Sequence, residues 1–350
     1  MHTTHLIPAV GLGIAALAAG CGGSDDAPAR AATSADQAAR TAQVDLPGGR
    51  IAFRRYFDDA QTHGAVFTVN PDGTDEKQIT DPPAGYVDDQ PDWSPDGRRI
   101  AFERCSETQP CQAFTVAADG GTPRKVPVRC HLKPICDVSS PSWMPDGRLV
   151  IGLAQGRERN HGELNQIQQF SVELIDLARH TQRAIIKRTA WRGDTHTPAA
   201  SPDGRTVVYK RWNSWRSKPV NGQALYVVNV DGSNNHRVTP WELGAGDHPG
   251  FSPDGSKILF RSFEEQESEQ SDFWTVHPDG GGLAQLTHVE HGTLVLSASY
   301  SPDGAWIVHA TDGIDGNADI FVMRADGTGN VPVTRSKLWD SAPDWGPAGS

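Results

Sequence analysis

No apolar run in this 350-residue sequence is long enough to cross a bilayer as a helix. After residue 20 no long segment repeats its apolar residues with helical period, which argues against a helical bundle. Positive charge is scarce: 32 Lys and Arg stand against 43 Asp and Glu, a formal charge of −11. Such a chain has no electrostatic attraction for nucleic acid or anionic lipid. Two hydrolytic signatures are missing. No H-E-x-x-H occurs, and the one approach to G-x-S-x-G, GFSPD at 250–254, has Asp254 where glycine is required.

What is abundant is turn chemistry. The 36 glycines and 25 prolines are spread along the chain, as many short strands require. The N-terminal stretch differs. Leu6–Ala19 is apolar and rich in small residues, and it leads into LAAGC ending at Cys21. This resembles a bacterial lipoprotein signal, in which Cys21 becomes the lipidated first residue. Leu17 lies one place further from the cysteine than usual, and the first residues carry His2 and His5 rather than Lys or Arg. Residues 1–20 are therefore read as the signal and 21–44, rich in Ala, Ser and Asp, as a flexible tether. The expected location is exported, anchored to the cell envelope on its periplasmic or outer face.

The four remaining cysteines form two equally spaced pairs, CSETQPC and CHLKPIC. Outside the cytosol disulfides persist, and four cysteines allow three connectivities. Local closure favours Cys105–Cys111 and Cys130–Cys136. Zinc is the alternative, although the spacing fits zinc fingers poorly.

From residue 45 onward the sequence repeats. Aromatic-Ser-Pro-Asp-Gly followed by an apolar strand recurs as WSPDGRRIAF, WMPDGRLVIG, ASPDGRTVVY, FSPDGSKILF and YSPDGAWIVH. The aspartates fall at 96, 146, 203, 254 and 303, so the steps run from 49 to 57 residues. A second motif alternates with it, as in VFTVNPDGTDEKQIT (66–80) and IFVMRADGTGNVPVT (320–334). Proline presets φ, aspartate bonds back to the backbone, and glycine takes the left-handed turn. Each repeat then reads as four antiparallel strands. The first copy lacks its first strand, and WDSAPDWGP (339–347) supplies a lone one at the other end. The expected fold is all-β: a six-bladed β-propeller of four-stranded blades over 45–350, closed by the C-terminal strand beside the N-terminal blade.

These motifs resemble the TolB-like propeller family, which also includes the propellers of prolyl-oligopeptidase-type enzymes. TolB itself carries an N-terminal α/β domain where this sequence has a tether, so a Tol–Pal role is not carried over. The resemblance implies a fold more firmly than a function.

The first strand of each blade should line the channel. Four places before each aromatic stand Asp89, Ser139, His196, Asp247, Leu296 and Ser341, followed by Gln90, Ser140, Thr197, His248, Ser297 and Ala342. Asp89, Gln90, His196, Asp247 and His248 are candidate ligand groups at the channel mouth. A basic rim of Arg54, Arg55, Arg104, Lys210, Arg211 and Arg261 follows from the ends of the second strands, and its arginines suit carboxylates. Pairing with neighbouring acids is the competing role for this rim. Long loops at 154–168, 211–222 and 263–270, with Trp212 and Trp215, lie on the same face. The Asp/Gly run 311–319 lacks the spacing and closing Glu of a calcium loop. No metal or cofactor is assigned.

The favoured function is a monomeric, non-catalytic envelope module binding a protein, peptide or glycan. The alternatives are a metal-dependent polysaccharide-lyase-like enzyme using the channel-mouth His and Asp residues, and a surface carbohydrate-binding module.

Overall fold

The computed structural model describes residues 46–132, 135–156, 167–190, 195–212, 222–246, 248–263, 270–290, 292–312 and 316–347. Cys21, Asp247, Trp215 and most of the three long loops lie outside them. The described chain is all-β apart from one 3-10 turn at Trp241–Leu243.

The strands follow the repeat. β1 (Ile51–Tyr56), β2 (Gly64–Val69) and β3 (Lys77–Gln78) come first. Then come β4 (Val87–Trp93), β5 (Arg99–Cys105), β6 (Gln112–Ala117) and β7 (Arg124–Lys125). β8 (Ile135–Trp143), β9 (Leu149–Gly156), β10 (Ile167–Asp176) and β11 (Thr181–Ala190) form one four-stranded antiparallel sheet. β12 (Thr195–Ala200), β13 (Thr206–Trp212), β14 (Gln223–Asn229) and β15 (His236–Arg237) form another. β16 (Gly250–Phe251), β17 (Ile258–Phe263), β18 (Ser271–Val276) and β19 (Ala284–Gln285) precede β20 (Leu294–Tyr300), β21 (Trp306–Asp312), β22 (Ala318–Arg324) and β23 (Val331–Pro332). β24 (Asp340–Trp345) ends the described chain and pairs antiparallel with β1, Ile51 opposite Trp345 and Arg55 opposite Asp340.

The turns carry the fold as their residues dictate. In the first SPDG turn Ser94 Oγ donates to Asp96 Oδ1 (2.7 Å), while the Arg99 N–H donates to Ser94 Oγ (2.9 Å). The same pairing recurs at Ser201–Asp203, Ser252–Asp254 and Ser301–Asp303. The serine bonds lower the carboxyls of Asp96 and Asp203, and Asp254, bonded by Ser252 and Ser256, falls to about 2. Successive turns also touch. A Cβ on Gly204 would meet Pro145 at 3.5 Å, one on Gly255 would meet Pro202 at 3.5 Å, and one on Gly304 would meet Pro253 at 3.5 Å. These glycines have φ of 68°, 72° and 71°, so their side-chain-free geometry serves the turn and the neighbouring proline at once.

The apolar clusters join neighbouring repeats, whether these share a sheet, as β1–β7 do, or not. One joins Trp93, Ile100 and Phe102 to Ala52 and Val66, and the next joins Trp143, Leu149 and Ile151 to Ala101 and Ala113. Both cysteine pairs are closed as disulfides in the local connectivity, Cys105–Cys111 and Cys130–Cys136.

One core position departs from its repeats. His309 opposes Phe321 in the register where Phe102 opposes Phe114 and Phe260 opposes Trp274. It is 4% exposed, stacks on Phe321 and bonds Thr311 and Asn330 at 2.8 Å each. Burial pushes its imidazole down to about 4 from an ordinary 6.5, partly opposed by the Asn330 bond. The unfolded chain therefore takes up this proton first as pH falls. Stability from the neutral ring is intact above pH 6.5 and is lost between there and pH 4, about 3 kcal/mol in all. His309→Phe should gain that amount over the wild type across this window and match it near pH 7. Urea midpoints for both proteins between pH 4 and 7 check it; parallel pH curves would refute the burial argument.

Candidate functional site

The opening strands of several repeats slip near the same place, in β20 one residue earlier than in β4, β8 and β12. Register shifts occur between Asp89 and Asp92, Ser139 and Ser142, His196 and Ala199, and Val295 and Ser297. Gln90, Ser140, Thr197, His248 and Ala342 have φ of 55°, 43°, 48°, 58° and 53°. Each precedes a proline, which disfavours the right-handed region for the residue before it. At such bulges the left-handed residue re-aims the side chains around it. All five residues line one cavity of about 400 Å³, walled by segments of β4, β8, β12, β16, β20 and β24 and the residues beside them. Gln90 and His248 meet in it, the Gln90 amide nitrogen donating to His248 Nε2 at 3.1 Å.

The other expected residues are distributed differently. Asp89 is paired with Arg54, whose guanidinium also donates to Ser341 Oγ and lies 4.2 Å from the Tyr56 ring centroid. His196 packs edge-on against Phe170, ring centroids 5.5 Å apart, and does not line the cavity. Arg55 forks onto Asp340 at 2.7 and 2.8 Å and also bonds Glu76. Arg104 forks onto Asp88 at 2.6 and 2.8 Å. Arg211 lies 5.4 Å from the Tyr226 ring centroid, Arg261 donates to the Val295 carbonyl (3.4 Å), and Lys210 is buried. None of these cations lines the cavity. In the 311–319 run, Asp319 accepts from Thr334 and from the Ser336 N–H, which ties two strands of the repeat together.

Two acids that the sequence reading did not single out, Asp92 and Asp344, line the site, and Glu103, read there as a partner for the arginines, bonds the backbone of one lining residue. Asp92 accepts the Trp143 N–H (2.7 Å) from the next sheet. Asp344 accepts the Trp93 N–H (2.8 Å) and the Ser299 hydroxyl (2.7 Å). Both line the cavity. Burial, and then the Asp344 charge, pushes Asp92 well above the usual carboxylate range; burial raises Asp344 against its N–H and hydroxyl donors. Glu103 accepts the Ser140 N–H (2.6 Å), and burial followed by the Asp89 charge raises it too. A signal for the first two existed. The residue before each motif aromatic runs Asp92, Ser142, Ala199, Gly250, Ser299, Asp344, and only its first and last members are acidic. Trp93, Trp143 and Thr197, which line the cavity, each carry a fully buried polar atom without a hydrogen-bond partner among the described residues.

No family model matches the chain. It is similar to an uncharacterised peptidase of Bacillus subtilis, YuxL, at 25% identity over 186 residues, 53% of this chain and 22% of that protein. Across this and two further curated relatives the match spans 22%, 65% and 34% of their lengths, less than two thirds in every case. Among solved structures, TolB from Acinetobacter baumannii superposes with a TM-score of 0.64 and 20% identity, covering 90% of this chain and 71% of that one. An oligogalacturonate lyase in complex with manganese superposes with a TM-score of 0.51 and 16% identity, covering 78% and 71%. At these identities the likeness concerns the fold, which is that of a TolB-like β-propeller.

Proposed function

We propose that this chain is a closed, six-bladed propeller, exported and lipid-anchored through Cys21, that binds an envelope protein, peptide or glycan at its channel without catalysing a reaction. The observation carrying this reading is a cavity of about 400 Å³ to which the equivalent strands of the repeats bring polar and aromatic side chains. The β1–β24 pairing supports the ring, since closure removes the sheet edges that would otherwise invite aggregation.

The binding reading is tested with a photo-crosslinking amino acid in the intact cell. Placed at Pro95, which is exposed and lines the cavity, it should capture a discrete partner; placed at Trp212, at the end of β13 and outside the lining, it should not. Equal capture from both positions, or none from either, would count against a channel-face binder. The anchor is tested by Cys21→Ser. The variant should move from the membrane pellet to the soluble fraction and lose the acyl mass on its N-terminal peptide. Unchanged fractionation would remove the anchor from the proposal.

A metal-dependent lyase is the second reading, favoured by the likeness to the manganese-containing lyase. The described residues do not fit such a site. His196 does not line the cavity, and the close-set His, Cys, Asp or Glu group among described residues is Glu103 with Cys105 and Cys111, whose sulfurs are bonded to each other. Metal analysis of the purified protein separates the readings. Stoichiometric metal lost in both His196→Ala and His248→Ala would favour the lyase.

A further inference from the structure

We propose that Gln90 and His248 bar the channel from side to side, so that the cavity is a blind well, entered and left between the proline tips of the SPDG turns. The inference deepens the binding reading above by naming the face from which the site is reached.

The wall segments touch one another in the order β4, β8, β12, β16, β20, β24, and β24 touches β4. Gln90 in β4 and His248, two residues ahead of β16, therefore stand three segments apart whichever way the wall is followed. Their 3.1 Å hydrogen bond crosses the cavity rather than running along its wall. The other four equivalent positions hold Ser140, Thr197, Ser297 and Ala342, whose side chains are too short to reach across. Long side chains thus occur at one opposed pair. The backbone aims both members of it. Each has a left-handed φ and is followed by a proline, and the Gln90 N–H donates to Asp89 Oδ1 (2.7 Å), the carboxylate that Arg54 holds.

The opposite end of the lining is exposed. Among its described residues the exposed ones are Pro95, Pro202, Pro253 and Pro302, each the proline of an SPDG turn, and Pro347 stands half-buried in the matching place after Trp345. At the level of the bar, by contrast, Thr197, Ser297 and Ala342 are buried. Pro95 follows Gln90 by five residues, about 15 Å of strand at 3.3 Å per residue, so bar and rim lie at different depths. A ligand inserts from the SPDG side and cannot pass through. The long-loop face, which the sequence favours, is then the closed side.

The test is directional cross-linking within the purified full chain. Ser297→Cys puts a reporter thiol in the wall at the level of the bar. A second cysteine replaces either Pro95 on the rim or Trp212, which ends β13 at the side away from the SPDG turn and lies outside the lining. A flexible bis-maleimide is added, and linked peptides are quantified by mass spectrometry. Positions 95 and 297 should link with the bar in place, and positions 212 and 297 should not. Gln90→Ser and His248→Ala should each raise the link between 212 and 297 at least tenfold and leave the other unchanged. Combining them should add nothing, since one removal already opens the bar. Both substitutions copy residues that the equivalent backbone accepts, Ser140 at φ 43° and Ala342 at φ 53°, and either one suffices if the other fails to fold. A link between 212 and 297 with Gln90 and His248 intact overturns the proposal. So does a missing link between 95 and 297, or a yield from 212 that neither substitution raises. No ligand enters this measurement. Its failure leaves the binding reading standing, and failure to capture any partner from position 95 removes the binding reading but not the bar.

Discussion

Deleting residues 340–350 is expected to abolish cooperative folding altogether. The segment contains β24, whose backbone pairs with β1 from Ile51 to Arg55, so its loss strips one edge of the first sheet. It also removes Trp345, 4% exposed, whose Nε1 donates to the Gly48 carbonyl (3.3 Å). Losing a buried tryptophan costs about 3–5 kcal/mol. Asp340, the buried partner of Arg55, goes with it, for about another 3–5 kcal/mol. Asp344 leaves the Trp93 N–H without its acceptor, and Pro347 leaves the turn at Gly97, where it lies 3.2 Å from a Cβ placed there. Such losses approach or exceed the roughly 5–15 kcal/mol that separates a folded domain from its unfolded chain. The exposed β1 edge would also template pairing with other chains. Far-UV dichroism should show no sigmoidal melt, and the truncated protein should enter the insoluble fraction. A soluble truncation melting within a few degrees of the full chain would show that β24 is an accessory strand.

The repeat frame was legible because the turns are chemically explicit. Ser, Pro, Asp and Gly each have a local task in SPDG, and the turn they make is set by neighbours in sequence. The pairing of the last strand with the first was legible for a related reason: 339–347 has the residues of an opening strand and nothing to follow it. The site was only partly legible, and the bulges are the cause. Strict alternation from Asp89 would put Asp89 and Pro91 on one face and Gln90 and Asp92 on the other. The slip between Asp89 and Asp92 breaks that period, so Gln90, Pro91 and Asp92 all line the cavity while Asp89 turns to Arg54. The arginine rim shows a second limit of one-dimensional reading. Arg55 and Arg104 stand at the ends of strands as expected, but the register sets Arg55 opposite Asp340 and Arg104 opposite Asp88, and those pairs hold them. A pairing across 285 residues has no local signature. His309 is a third case, since its neutrality follows from burial in a slot where related repeats place phenylalanine.

The Arg55–Asp340 pair carries the second large expected effect. Asp340→Ala should cost about 3–5 kcal/mol, because the alanine leaves a buried guanidinium with Glu76 alone. The Asp340 side chain is 0% exposed and that of Arg55 10%, whereas that of Glu76 is 37% exposed, so solvent weakens the Glu76 contact and not the other. Glu76→Ala should accordingly cost under about 1 kcal/mol. Burial pushes the Asp340 carboxyl up and the Arg55 fork pulls it back, so the pair's worth lies in mutual compensation rather than in attraction alone. The double variant Arg55→Met with Asp340→Leu should therefore recover most of the loss, since an apolar pair leaves no charge to compensate. Urea unfolding of the wild type and the three variants, with unchanged m-values, gives the comparison. If Asp340→Ala loses less than Glu76→Ala, the guanidinium is not committed to the β1–β24 seam, and Arg55 returns to the ligand-facing role that its place in the sequence suggests.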